Sequence, residues 1–220
     1  MTRETTPNVL LTGFEPFDGE RINPSGEIVR ALDGEIVRGH RIVTAILPVA
    51  FASTLPALET LLETHRPAIA IATGQAGGRS ELAIERIAAN LIDARIPDAD
   101  GEQPIDVRAI DDAPDAYFST LPVKAMLERL RELGIPAALS QTAGAYVCNQ
   151  TFFVLAHLVA TRYRETRAGF VHVPWLPEQA ARHLGQPSMA LETMIEGVRE
   201  AVACALATRT DRRFAGAETY

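Results

Sequence analysis

A cysteine stands where the sequence predicts the start of a helix. Cys148 follows a predicted strand, Ala137 to Ser140, and a glycine turn, and an apolar helix is predicted from Cys148 to Tyr163. The unpaired N–H groups and positive dipole of such a helix start would stabilise a thiolate, the form of cysteine that attacks carbonyl carbon. The alternative is a buried structural thiol. Cys204 fits that alternative, because it lies in an apolar stretch of the last predicted helix.

A cysteine nucleophile needs a base, and His172 has the best position among the five histidines. It lies at the end of the last predicted strand, Phe170 to Val173, and ligand sites in open α/β sheets collect at strand ends. A strand histidine held by a backbone carbonyl is the alternative. The five histidines contain no H-x-x-x-H pair, so the sequence does not indicate a zinc hydrolase.

A carboxylate would hold the imidazole in the correct tautomer and offset its positive charge. Glu81, Glu85 and Asp93 all lie in an irregular part of the sequence. Strand alternation places Glu81 and Glu85 on the same face. The residue pattern therefore leaves the choice among these carboxylates open.

Composition excludes several classes of protein. The 220 residues include 21 Lys and Arg against 28 Asp and Glu, a formal charge of −7, so the electrostatic field would repel nucleic acid. Two cysteines make no disulfide scaffold, which favours a reducing cytoplasm. The N-terminus shows no signal peptide, and apolar runs such as Pro67 to Thr73 are far shorter than the ~20 residues that span a bilayer. We therefore expect a cytoplasmic protein that binds neither nucleic acid nor membrane.

Short apolar runs alternate with stretches of helical period, which is typical of an α/β fold with a mostly parallel sheet. One helix is predicted to be N-capped by Thr54 and to bury a stripe of leucines. The last helix is predicted to end near Thr208, and the last dozen residues of the chain are predicted to be frayed. The other predicted elements are strands Val9 to Thr12, Arg41 to Leu47 and Ala68 to Thr73, and helices Glu27 to Leu32 and Val123 to Leu133. No linker or repeat divides the chain, so residues 1–220 are predicted to form a single domain.

The regular alternation of strands and helices is lost between Gly74 and Leu121. Within this stretch, apolar and polar residues alternate from Ser80 to Asn90 as in one strand, and an acidic segment follows. Long excursions in compact domains are usually functional, so we expect site residues here. The glycines from Gly74 to Gly78 match no nucleotide-binding pattern. Asp98 to Glu102 has only part of a calcium-loop spacing, which favours a solvated acidic turn.

Together these segments resemble the pyroglutamyl peptidase I family of cysteine peptidases. The resemblance covers nearly the whole chain in the family's order and spacing. It rests on Thr12 to Phe17 with Asn23 to Ser25, on Gly74 to Arg79 and Glu85 to Asn90, on Ser140 to Asn149, and on His172 to Pro174. The family's catalytic residues would fall on Glu85, Cys148 and His172, so the resemblance selects Glu85 over Glu81.

The resemblance implies a single-domain α/β/α sandwich, a homotetramer, and removal of an N-terminal pyroglutamyl residue from peptides without metal or organic cofactor. Pyroglutamate is an uncharged lactam, so its pocket should be mostly apolar with a few hydrogen-bonding groups. By family analogy its walls are Phe14, Phe17, Tyr146 and Val147, and its polar partners are Asn23 and Gln75. The oxyanion would be met by backbone N–H groups at the Cys148 helix start, with Arg95 as a helper.

Two residues depart from the family pattern. Ala83 stands where the family usually carries Ser or Thr, and Asp18 stands where glycine is frequent. The alternatives to a pyroglutamyl peptidase are a thiol amidase of different acyl specificity on the same scaffold and a binding or assembly protein without catalysis. An intact Glu, Cys and His set argues against the binding protein, because binding alone does not need all three.

Overall fold

A seven-stranded sheet lies at the centre of the computed structural model, which describes residues 6–215. The strands are β1 (Asn8–Phe14), β2 (Ile36–Val37), β3 (His40–Leu47), β4 (Ile69–Gln75), β5 (Leu82–Glu85), β6 (Ile87–Ala89), β7 (Ala116–Phe118), β8 (Ala137–Ser140) and β9 (Arg167–Val173). The helices are α1 (Pro24–Leu32), α2 (Phe51–His65), α3 (Val123–Glu132), α4 (Val147–Thr161), α5 (Pro177–Ala180) and α6 (Leu191–Ala207).

The order of strands in the sheet is β2-β3-β1-β4-β9-β5-β8. Neighbours from β3 to β9 are parallel, β5 runs antiparallel to β9 but parallel to β8, and β2 forms an antiparallel edge on β3. Strands β6 and β7 pair separately as an antiparallel ribbon. The prediction of an α/β fold with a mostly parallel sheet is confirmed.

Side-chain alternation along the strands creates two apolar layers. On β1, Val9 and Leu11 join the core under α1, α3 and α6, whereas Leu10 joins the core under α2 and α4. Helices therefore cover both faces of the sheet, so the expected α/β/α sandwich is confirmed. On β9, Val171 belongs to the first layer and Phe170 to the second, so His172 points towards α4.

Helix α2 begins earlier than the sequence predicts. Its N-cap is Ala50, whose side chain forms no cap, and Thr54 lies inside the helix and donates to the Ala50 carbonyl. The prediction of Thr54 as N-cap is wrong. The free Phe51 N–H in the first turn of α2 donates to the carboxylate of Asp98 at 2.8 Å, so the cap comes from a residue 47 positions further along the chain. Asp98 is buried, whereas residues 99–102 are exposed, so the prediction of a solvated acidic turn fails for Asp98 and holds for the rest of the segment.

The stretch from Ser80 to Asn90 is two strands rather than one. Strand β5 ends at Glu85 in the central sheet, and β6 begins at Ile87 in the separate ribbon. The backbone of Arg86, between them, donates its N–H to the Ser140 carbonyl and accepts at its carbonyl from the Ser119 N–H. These two hydrogen bonds fix the backbone where one strand ends and the other begins. All four residues of β5 are buried, so simple alternation of exposed and buried residues fails here.

The end of the chain is more ordered than predicted as far as residue 215. Asp211 accepts hydrogen bonds from the backbone N–H groups of Lys124 and Ala125, and so caps the start of α3. The remainder of the expected frayed segment, and the first five residues, lie outside the described range. No helix in residues 6–215 is both long enough and apolar enough to cross a membrane.

Candidate active site

Cys148 is the second residue of α4. It follows Val147, and the N-cap of the helix is Tyr146. The first intrahelical bond is donated by the Gln150 N–H to the Tyr146 carbonyl. Within the described part of the chain, the N–H groups of Val147, Cys148 and Asn149 have no hydrogen-bond partner. This helix start therefore presents several free donors beside the thiol, as an oxyanion site requires.

The thiol of Cys148 lies against Gly74 of β4. A Cβ atom on Gly74 would lie 2.7 Å from the Cys148 Sγ and 2.9 Å from the ring of Phe170, so only glycine leaves room for the sulfur. Gly74 is also the cross-strand partner of His172 on β9. The close packing of helix and sheet thus brings the thiol next to the strand position that carries the histidine.

His172 and Glu85 form a buried hydrogen-bonded pair. Nδ1 of His172 lies 2.7 Å from Oε1 of Glu85, and both side chains are almost completely inaccessible. Because a carboxylate only accepts, the neutral imidazole carries its proton on Nδ1 and leaves Nε2 free as a base. Glu85 reaches His172 because Leu82 and Ile84 pack in the opposite layer, which directs Glu85 towards α4.

The other candidate carboxylates lie elsewhere. Glu81 is partly exposed and accepts from the Ser80 hydroxyl, and Asp93 is exposed on the wall of the cavity that contains Cys148. Arg79, which the sequence analysis did not assign to the site, approaches Glu85 Oε1 with its Nη1 at 3.5 Å. Its position at the end of the Gly74 to Arg79 segment, which carries part of the family resemblance, is the signal that could have identified it. A buried carboxylate needs compensating charge, and Arg79 supplies part of it.

The surroundings of Cys148 favour the neutral form of its thiol. Burial, and secondly the negative charge of Glu85, raise the pKa of Cys148 from 9.0 to about 12. Burial therefore acts against the stabilisation of a thiolate that is expected from the helix start. A thiol with this pKa must lose its proton to a base before it attacks, and His172 lines the same cavity.

This arrangement predicts that alkylation of Cys148 depends on His172. In a Cys204→Ser background, His172→Gln should react with iodoacetamide at least about tenfold more slowly at pH 7, because only the thiolate is alkylated. Without the base, the rate should rise about tenfold per pH unit up to the pKa of the thiol. Equal rates for the two proteins at pH 7 would show that His172 does not take the proton.

A narrow recess adjoins the thiol of Cys148. Besides Cys148 and Val49, it is lined by all six predicted pocket residues, which are Phe14, Phe17, Asn23, Gln75, Tyr146 and Val147. The structure thus brings together residues from the β1–α1 loop, the end of β4 and the start of α4. Its surface is almost entirely apolar, with amide groups from Asn23 and Gln75.

Tyr146 and Asn23 are fixed by their own hydrogen bonds. The Tyr146 hydroxyl donates to the Pro97 carbonyl at 2.9 Å, and its ring packs edge-on against Phe51 at 5.4 Å. Asn23 is the N-cap of α1: its Oδ1 accepts from the N–H and hydroxyl of Ser25, and its Nδ2 donates to the Glu15 carbonyl. Only the second Nδ2 hydrogen of Asn23 remains available to a ligand.

A wider cavity of about 550 Å³ also includes the thiol and shares Phe17, Gln75 and Tyr146 with the recess. It contains Cys148 and His172 and is bordered by Arg95, Asp18 and two aromatic residues that the sequence analysis did not assign, Trp175 and His183. The Trp175 and His183 rings stack 4.1 Å apart, and Trp175 covers Gly77, where a Cβ would lie 2.4 Å from the indole. The thiol therefore lines both a small apolar recess and a larger cavity of mixed polarity.

Asp18 adopts a left-handed backbone conformation with φ of 53°, next to Gly19. Aspartate tolerates this region, which explains how it occupies a position where glycine is frequent. Ala83 is buried on β5 opposite His172 and offers no hydroxyl there. Within residues 6–215, no three or more His, Cys, Asp or Glu side chains are grouped so that they could hold a metal ion.

Comparison with known proteins gives matches along nearly the whole chain. The sequence model of the family described as pyroglutamyl peptidase matches residues 7–208. A pyrrolidone-carboxylate peptidase of Cupriavidus taiwanensis is 56% identical over 215 residues, which cover 97% of this chain and 100% of the relative. One from Klebsiella pneumoniae is 48% identical, with 96% of this chain and 99% of the relative covered.

Solved structures show the same similarity. The crystal structure of Bacillus amyloliquefaciens pyroglutamyl peptidase I superposes with a TM-score of 0.91 at 40% identity and covers 94% of this chain and 100% of that one. A mutant pyrrolidone carboxyl peptidase from Pyrococcus furiosus gives a TM-score of 0.88 at 45% identity, with 91% and 98% covered. Both the fold and the sequence are thus shared with these peptidases.

Proposed function

The chain belongs to the pyroglutamyl peptidase family and is a cysteine peptidase that hydrolyses the bond after an N-terminal pyroglutamyl residue, and we propose that Cys148, His172 and Glu85 perform this reaction. The observation that carries the assignment of residues is that the thiol lines both recess and cavity and shares the cavity with a histidine that is hydrogen-bonded to a buried glutamate.

Acylation begins when Nε2 of His172 takes the thiol proton and the Cys148 sulfur attacks the carbonyl carbon after the pyroglutamyl ring. The carbonyl oxygen becomes an oxyanion, which the free N–H groups at the start of α4 meet, and Arg95 is the proposed helper from the cavity wall. The intermediate collapses, the C–N bond breaks, and His172 gives its proton to the leaving amine. A thioester remains on Cys148.

Deacylation uses the same base. His172 removes a proton from water, the resulting hydroxide attacks the thioester carbonyl, and the C–S bond breaks to release free pyroglutamate. The proton returns to the Cys148 sulfur. Throughout, the hydrogen bond to Glu85 holds the imidazole in one tautomer and offsets its charge when it is protonated.

The residues that line the recess support the assignment of acyl specificity, and its free volume of about 10 Å³ means that their side chains must move apart to admit a ring. A five-membered lactam is flat, mostly apolar and uncharged, and carries one N–H donor and one carbonyl acceptor. Phe14, Phe17, Tyr146 and Val147 supply apolar walls for such a ring, and Asn23 and Gln75 supply the polar partners. The leaving part of the peptide would occupy the wider cavity beyond the thiol.

We also propose a cytoplasmic homotetramer whose partners are peptides with an N-terminal pyroglutamyl residue, and neither nucleic acid nor membrane. The free Cys148 thiol supports a reducing compartment, because oxidation of this sulfur would stop the reaction. The resemblance to the family supports the tetramer, and light scattering after size exclusion tests it. No metal or organic cofactor enters the proposed mechanism.

A panel of chromogenic amides tests the proposal, with pyroglutamyl, prolyl, glutamyl and acetyl groups on the same amine, under reducing conditions. We expect turnover of the pyroglutamyl amide alone, at a rate that a chelator does not change. Among the four acyl groups, only the pyroglutamyl group is an uncharged ring with a carbonyl that accepts a hydrogen bond. Cleavage of another acyl group in its place would favour the alternative thiol amidase. Inertness towards all four amides would favour the binding protein.

A further inference from the structure

Gln179, on the short helix α5, connects Gln75 of the recess to residues 20 and 22 in the loop between β1 and α1. It is fully buried and its amide is surrounded by hydrogen-bond partners. Its Oε1 accepts from the Leu176 N–H at 3.1 Å. Its Nε2 lies 3.2 Å from the Ile22 carbonyl, 3.2 Å from Glu20 Oε2 and 2.9 Å from Gln75 Oε1. The mechanism described above does not use this residue.

The neighbours of Gln179 allow only one orientation of its amide. The Leu176 N–H can only donate, so it must face the amide oxygen, and the Ile22 carbonyl can only accept, so it must face the nitrogen. Glu20 also accepts: burial raises its pKa, but hydrogen bonds from His183, Gln179 and Arg182 outweigh burial and lower it. A flip of the Gln179 amide would therefore place like groups against each other at Leu176, Ile22 and Glu20.

This fixed orientation determines that of Gln75. Because Gln179 presents its N–H group, the atom of Gln75 that faces it must be the amide oxygen. The Nε2 group of Gln75 has no hydrogen-bond partner within residues 6–215. Gln75 lines both the recess and the cavity next to Cys148. The group left for a ligand is thus a donor and not an acceptor.

We propose that Gln179 is a positioning residue which holds the Gln75 amide so that its Nε2 donates to the ring carbonyl of the pyroglutamyl group. This inference rests on the proposed function. Asn23 also has only a donor to offer, so two amide donors are available for the single carbonyl acceptor of the lactam. A prolyl ring lacks that carbonyl and leaves both donors unpaired, which is how such a site rejects it.

Gln75→Glu tests the direction of the hydrogen bond. The carboxylate still accepts from Gln179, but it presents an acceptor to the ring carbonyl. Binding of 2-pyrrolidone, the lactam ring itself, can be measured by ligand-observed NMR without any turnover. We expect a dissociation constant at least about tenfold higher than that of the wild type, with a cooperative thermal unfolding transition retained. Gln75→Met, which removes the donor without adding charge, should also weaken binding.

Gln179→Met tests the positioning role. It should raise the dissociation constant about threefold in the wild-type background and change it little in the Gln75→Glu background, because its effect acts through Gln75. Gln141→Glu is the matched control, since Gln141 is exposed and lines neither recess nor cavity, and should bind normally.

Undiminished binding of 2-pyrrolidone by Gln75→Glu would overturn the inference, whether or not Gln179→Met folds. If Gln75→Glu binds the lactam normally and the wild type hydrolyses pyroglutamyl amides, the inference about Gln179 is wrong and the proposed function stands. A wild type that neither binds 2-pyrrolidone nor cleaves these amides would overturn both.

Discussion

Replacement of Cys148 by alanine is expected to reduce kcat for a pyroglutamyl amide by about 10⁵-fold or more, since loss of a nucleophile removes the covalent route entirely. Serine at this position should be nearly as inactive, because a buried hydroxyl is harder to deprotonate than a thiol. The substitution removes one atom between α4 and Gly74 and should leave the fold intact. Hydrolysis rates and thermal unfolding curves measure the two effects separately.

Cys204→Ala is the matched control for this prediction. Cys204 is a partly buried thiol on α6, and its nearest hydrogen-bonding neighbour is Thr208, far from the recess and the cavity. It should retain full activity. If Cys148→Ala kept activity while Cys204→Ala lost it, the assignment of the nucleophile would be wrong.

Glu85→Gln is expected to lower kcat by about a thousandfold or more, as the loss of the orienting carboxylate does in other catalytic triads. The neutral amide no longer offsets the charge of protonated His172, and its NH₂ group can face Nδ1 and favour the wrong tautomer. KM should change less than kcat, because Glu85 does not line the recess. Steady-state kinetics on a pyroglutamyl amide give both parameters.

Glu81→Gln provides the comparison, because it makes the same chemical change four residues earlier on a partly exposed side chain that bonds Ser80. It should have near wild-type kinetics. Equal losses in the two variants would indicate a general effect of negative charge in this region, and a larger loss in Glu81→Gln would transfer the orienting role to that residue.

Local features made part of this site predictable from the residues. A cysteine at a helix start and a histidine at a strand end are recognisable from residue type and element boundaries, and both elements form where expected. Glu85 could not be separated from Glu81 in this way, because the distinction depends on β5 entering the sheet antiparallel to β9 and burying Glu85 against His172. Only the family resemblance supplied that choice.

Contacts between distant residues account for what the residue pattern missed. The start of α2 depends on Asp98, and the orientation of Gln75 depends on Gln179, more than a hundred residues away along the chain. Neither pair has a local signal, since each is brought together by packing of separate elements. Likewise, nothing in the spacing shows that Trp175 stacks on His183 at the cavity wall.

The proposed mechanism requires a thioester on Cys148, which mass spectrometry after a rapid acid quench can detect. Mixing the protein with excess pyroglutamyl ester, whose acylation is fast, should add the mass of one pyroglutamyl group, located on the peptide that contains Cys148 and removable by hydroxylamine. The Cys148→Ala protein should show no adduct. Rapid turnover of the ester with no adduct at any quench time, or an adduct located on another residue, would contradict the mechanism.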